Sequence, residues 1–205
     1  MQRAIPAILV GFALVITGSA RAQGPAGTTL PLQVTLLQEP AEFEIPFYDA
    51  LITVGENKFT FVVPQGFRLK SDPGAGKVIL GNQEGDCSFT FSILGSSPDA
   101  SPSSPAAWRA FLIRMHPEAK VLQEFTTGVA GHSGPAFDIQ WRATEEIYQC
   151  ERIAFVPSAY GTLVFSATSG RNAFPQTQGN FGLITGTFRA STDGKFRPIQ
   201  ILGEN

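Results

Sequence analysis

The stretch Phe59-Thr60-Phe61-Val62-Val63-Pro64-Gln65-Gly66-Phe67 sets the architecture of this chain. Phe59, Phe61 and Val63 recur at every second residue, which places them on one face of a β-strand. Pro64 has no N–H to give to a ladder and closes the strand. Immediately upstream, Leu51-Ile52-Thr53-Val54 and the turn residues Gly55-Glu56-Asn57 predict its hairpin partner. Downstream, residues 68–70 and 77–81 flank Ser71-Asp72-Pro73-Gly74-Ala75-Gly76 and predict a second, shorter hairpin.

Further along, Cys87, Phe89, Phe91 and Ile93 alternate with Ser88, Thr90 and Ser92, a strand with one apolar and one polar face. A Ser/Pro-rich loop over residues 95–104 follows. Pro105 then suits a first helical turn with Ser104 as its cap, and Trp108, Phe111, Leu112 and Met115 form an apolar stripe that ends before Pro117. Residues 121–126, 136–144, 147–156 and 162–168 are four successive strand candidates, expected as an antiparallel meander. Phe137, Ile139 and Trp141 share its inward face, with Asp138, Gln140 and Arg142 opposite. Alternation is poor around Cys150, which predicts a strand covered on both faces. Residues 175–188 carry Phe181, Ile184 and Phe188 at helical spacing. Gly179, Gly182 and Gly186 weaken that helix by about 1 kcal/mol each relative to Ala, and close packing of its backbone on the sheet would account for them.

The ends of the chain read differently. Arg3, an apolar run over residues 7–16 and the sequence Gly18-Ser19-Ala20-Arg21-Ala22 have the pattern of an export signal cut between Ala22 and Gln23. The run is short for a membrane span, and no cysteine near the cut offers a lipid attachment point; an uncleaved anchor is the rival reading. The expected order is a signal at 1–22, an extended, flexible segment at 23–49 (a Gly/Pro linker to about 31, then an apolar, proline-broken stretch running extended over the surface), one α+β domain at 50–189 and a tail at 190–205. The expected location is periplasmic or secreted, with no stable membrane insertion once the signal is cut. Removing Arg3 and Arg21 with the signal takes the basic count from 15 to 13 against 17 acidic residues, a net charge of −4. Such a balance disfavours nucleic acid and anionic lipid as partners.

An even pair of cysteines in an exported chain, Cys87 and Cys150, is read as a disulfide. Closing that loop would restrict the unfolded chain by about 4 kcal/mol; two separate buried thiols are the alternative. Gly131-His132-Ser133-Gly134 has a partial likeness to a nucleophile elbow, with Asp138 nearby. Pro135 stands where the elbow needs Gly, and the segment lies between two strands rather than between strand and helix. A glycine-rich turn fits better, and a hydrolase with a shallow site at His132, Ser133 and Asp138 is the alternative function. The two histidines, His116 and His132, have no spacing that suggests a metal site. His116 suits a helix C-terminus, and no cofactor pattern occurs.

The aromatic strand followed by Pro-x-Gly-aromatic, the glycine turn Gly128, Gly131 and Gly134 that opens the meander, and a closing helix ending in Thr187-Phe188-Arg189 together resemble the PsbP-like family. That family includes the photosystem PsbP subunit, a eukaryotic Ran-binding import factor and many small exported bacterial proteins. The resemblance spans residues 51–188. It implies an α+β fold, an antiparallel sheet with helices packed on it as an α/β/α sandwich. It also implies a non-enzymatic accessory role towards an unknown protein or small ligand. The metal- and partner-binding positions of named members have no clear counterpart here, so the resemblance implies no catalytic, metal or cofactor residues.

Overall fold

The structure, a computed structural model, describes residues 32–38, 48–94 and 104–191. The expected signal and its cut at Ala22 and Gln23 lie outside the described residues. Among the described residues, eleven strands form two antiparallel sheets. The smaller sheet has the order β1 (Leu32–Gln38), β2 (Tyr48–Val54), β3 (Asn57–Val63) and β11 (Arg189–Ser191). The larger begins with β4 (Phe67–Asp72), β5 (Lys77–Asn82) and β6 (Cys87–Leu94). It continues through β10 (Gly161–Gly170), β9 (Tyr148–Ser158), β8 (His132–Arg142) and β7 (Lys120–Val129). Between β6 and β7 the chain crosses by α1 (Pro105–Met115), and α2 (Phe174–Thr187) follows β10.

Two faces of the larger sheet are covered in different ways. On one, Phe89, Phe91, Phe165, Ala154 and Val156 pack against α2 and against Phe59 and Phe61 of the smaller sheet. Phe188, just past α2, joins these layers: its ring lies 5.7 Å from Phe59, 5.2 Å from Phe91 and 5.0 Å from Phe165. On the other face, Trp108 and Leu112 of α1 cover Phe137, Ile139, Ile153 and Phe155, with Trp108 stacked 4.2 Å from Phe155. The strand carrying Cys150 is therefore buried on both sides.

The expected α/β/α sandwich is thus corrected. The molecule is mostly antiparallel β with two short helices, and on the α2 face a second sheet shares the covering of the larger sheet with α2. Physical causes lie at the ends of the domain. Residues 23–49 read as an extended, flexible lead, yet β1 pairs along its whole length with β2, from Leu32 opposite Val54 to Gln38 opposite Tyr48. Arg189 and Ser191, on the border of the expected tail, pair with Thr60 and Lys58. A strand on each side converts the first hairpin into a sheet.

Local chemistry explains the elements that match expectation. Ser104 caps α1 with its hydroxyl accepting from the Ala107 N–H at 3.2 Å, and Pro105 occupies the first turn. Met115, placed on the apolar stripe by spacing, is instead exposed. Ala130 and Gly131, with φ of +51° and +80°, make the tight two-residue turn between β7 and β8. A Cβ on Gly134 would run into the Phe155 carbonyl oxygen, so only glycine lets β8 and β9 approach there.

Candidate functional site

Cys87 and Cys150 are free, buried thiols, which corrects the disulfide reading. Both stand opposite Ser169, Cys87 on the β6 side and Cys150 on the β9 side. Two strand spacings of about 4.8 Å separate them, beyond the roughly 7 Å between Cα atoms that a bridge can span. Equal numbers of cysteines could not reveal that a whole strand lies between the two. Burial, and to a smaller extent the neighbouring Asp86 carboxylate, push the Cys87 thiol above its ordinary pKa, against a lowering contact from Thr177.

The trio His132, Ser133 and Asp138 is also dispersed. His132 and Ser133 are exposed at the start of β8, whereas Asp138 is buried six residues further along the same strand. At about 3.4 Å per residue the intervening length is roughly 20 Å, so His132 and Asp138 share no catalytic contact. Asp138 has a different use. Arg152 donates to both of its oxygens, at 2.7 and 2.8 Å, and the Gln178 amide of α2 donates at 2.9 Å. The same guanidinium lies over the Phe125 ring at 4.6 Å and near Phe181 at 5.9 Å. A bidentate, ring-stacked Arg is a joint between β7, β8, β9 and α2. The alternation that put Asp138 opposite the core gave no sign that a helix covers it.

His116 ends α1 as expected, with its N–H bonded to the Leu112 carbonyl at 2.9 Å. Its ring lies 5.4 Å from Trp141, and its Nε2 is 3.6 Å from a Glu151 carboxylate oxygen. Burial moves each group toward its neutral form: His116 is lowered, and Glu151 is raised to about 7 despite the Ser166 hydrogen bond and the Lys77 charge. The contact is therefore not one between two full charges at neutral pH. It underlies α1 as a packing feature.

A cleft of about 290 Å³ opens instead at one end of the larger sheet. Its walls are the turn after β3 (residues 65–67), the turn between β5 and β6 (residues 82–86), and the first turns of α2. Cys87 and Thr177 close the floor, the Thr177 hydroxyl lying 2.9 Å from Ser169 Oγ and 3.4 Å from Cys87 Sγ. Side-chain amides dominate the lining: Gln65, Asn82, Gln83, Gln176 and Asn180. Asn82 braces its own turn, accepting from the Cys87 N–H at 3.2 Å and donating to Asp86. Glu84 and Asp86 add negative charge, and among the described residues no Lys or Arg lines the space. The rest of this set went unread because it comes from three separate segments. Gln176 and Asn180, at i and i+4 on one helix face, are the one local signal available. Among the described residues no cluster of His, Cys, Asp and Glu is grouped as a metal site, and no helix is long and apolar enough to cross a membrane.

No protein-family model and no curated protein matches the chain. Among solved structures, the fold is similar to cyanobacterial PsbP (CyanoP) from Synechocystis sp. PCC 6803. The TM-score is 0.51 at 12% identity, covering 85% of this chain and 98% of that one. A Pseudomonas aeruginosa protein of unknown function scores 0.42 at 19% identity, with 63% of this chain and 88% of that chain covered. LpqN, involved in cell envelope biogenesis of Mycobacterium tuberculosis, scores 0.41 at 12% identity over 78% and 91%. The PsbP-like resemblance carried by the aromatic strand, the glycine turn and the closing helix thus extends to the three-dimensional fold of this chain.

Proposed function

We propose that the protein is an exported, non-enzymatic accessory domain, periplasmic or secreted, that holds a ligand or partner in the cleft at the start of α2. The carrying observation is the make-up of that cleft. Amides and carboxylates crowd a concave surface built on rigid strand ends, an arrangement suited to recognition by hydrogen bonds. Its thiol, Cys87, is buried and favours the protonated form, whereas a reactive cysteine needs its thiolate. The PsbP-like resemblance points the same way, and residues 1–22 supply the export pattern.

Two measurements test the reading. Intact mass of protein recovered from the exported fraction should begin at Gln23; retention of Met1 would favour a signal-anchored envelope protein. Broad hydrolase screening should find no activity that Ser133→Ala or His132→Ala removes. An activity lost in either variant would replace the accessory reading with an enzymatic one.

A further inference from the structure

We propose that the cleft binds a neutral saccharide, one sugar ring seated against Phe67 among the side-chain amides. This rests on the binding role proposed above and names the ligand class. Gln65, Gln83, Gln176 and Asn180 line the space, and none makes a side-chain hydrogen bond among the described residues. Each terminal amide offers an acceptor oxygen and two N–H donors. A sugar hydroxyl, itself donor and acceptor, matches such groups in either direction. Gln176 and Asn180 are one turn apart on α2, with Cβ atoms about 5–6 Å from one another, so both can address neighbouring hydroxyls of one ring. Phe67, half-buried at the wall, supplies an apolar surface for the C–H face of that ring.

Other ligand classes fit less well. An anion would meet Glu84 and Asp86 with no Lys or Arg among the described lining residues to offset them. An apolar ligand would strip water from the amides without replacing their hydrogen bonds, leaving donors and acceptors unpaired. A cation would gain little, because solvent screens exposed ion pairs and Asp86 already accepts from Asn82. The volume of about 290 Å³ falls just below the roughly 300–1,000 Å³ typical of small-molecule sites. That size suits a single ring with any further sugars projecting outward.

The test is a titration of ¹⁵N-labelled protein with neutral mono- and disaccharides of glucose, galactose, mannose and N-acetylglucosamine, alongside glucuronic acid, read at the side-chain amide resonances. At least one neutral sugar should shift the cleft amides, with affinity unchanged between low and high salt. Gln176→Ala and Asn180→Ala should each weaken it about tenfold, the equivalent of one lost hydrogen bond. Both substitutions favour the helix, so loss of fold does not confuse the result. Glucuronic acid should bind more weakly than the neutral sugar, and Glu84→Gln should narrow the difference. The proposal is overturned if no neutral sugar moves these resonances at millimolar concentration, if the two variants bind normally, or if binding falls steeply with salt. A sugar that binds here and is also hydrolysed would uphold the site while overturning the non-enzymatic reading.

Discussion

Glu151 shows how one residue can carry an environment that its neighbours in sequence do not announce. It lies on β9 beneath α1, opposite Ile139 on one side and Thr168 on the other, and burial raises its carboxyl to about 7. Because the folded pKa exceeds the ordinary 4.5, the folded state keeps this proton between those values while the unfolded chain loses it. The contribution of Glu151 to stability is therefore full at low pH and is lost as pH rises through 7. His116 works in the opposite sense: with its pKa below 6.5, its contribution is present above that value and declines as pH falls. Urea unfolding of Glu151→Gln should show a variant more stable than the parent by about 3 kcal/mol at and above pH 7, with the advantage shrinking as pH falls and gone below the ordinary carboxyl value of 4.5. A constant offset across the range would show that Glu151 does not titrate in this window. Cys87 and Cys150 give a second residue-scale expectation, since both are buried and unbridged. Without reductant, the folded protein should resist alkylation and the unfolded protein should gain two adducts by mass; no gain on unfolding would restore the bridge.

At the scale of elements, helices and hairpins were legible wherever the signal is local. Ser104 and Pro105 marked the first residue of α1, and the alternation of Cys87, Phe89 and Phe91 marked the faces of β6. The closing helix was found, with Phe181 and Ile184 buried as their spacing required. Its glycines were misread. A Cβ on Gly179, Gly182 or Gly186 would meet nothing within 4 Å, so they face solvent and do not bring α2 closer to the sheet. Docking comes instead from side chains: Thr177 to Ser169, Gln178 to Asp138, and Thr187 accepting the Val62 N–H at 3.1 Å. Gly182→Ala should therefore stabilise the protein by roughly 0.5–1 kcal/mol, seen as a higher urea midpoint at unchanged slope. A loss of stability would mean that this face of α2 is covered.

For the whole molecule, Phe188 is the test of how the layers depend on one another. Its ring touches Phe59 and Phe61 of the smaller sheet and Phe91 and Phe165 of the larger. Phe188→Ala should cost about 3–5 kcal/mol, and far-UV and near-UV signals should still be lost together in urea. If the near-UV signal melted first, the two sheets would be separable units. By itself the sequence determined the strands between residues 51 and 168, the two helices, the aromatic core positions and the likeness to PsbP, because a period of two or 3.6 and a cap are written in adjacent residues. Tertiary structure alone decided the second sheet, since β1 and β11 gain their order from hydrogen bonds to β2 and β3 rather than from their own composition. It alone placed β10 between the cysteines, buried Asp138 under α2 and gathered the cleft amides from three segments. Contacts between residues far apart in the chain leave no periodic trace in it, and they are what separates a bridgeable pair from two thiols flanking a strand.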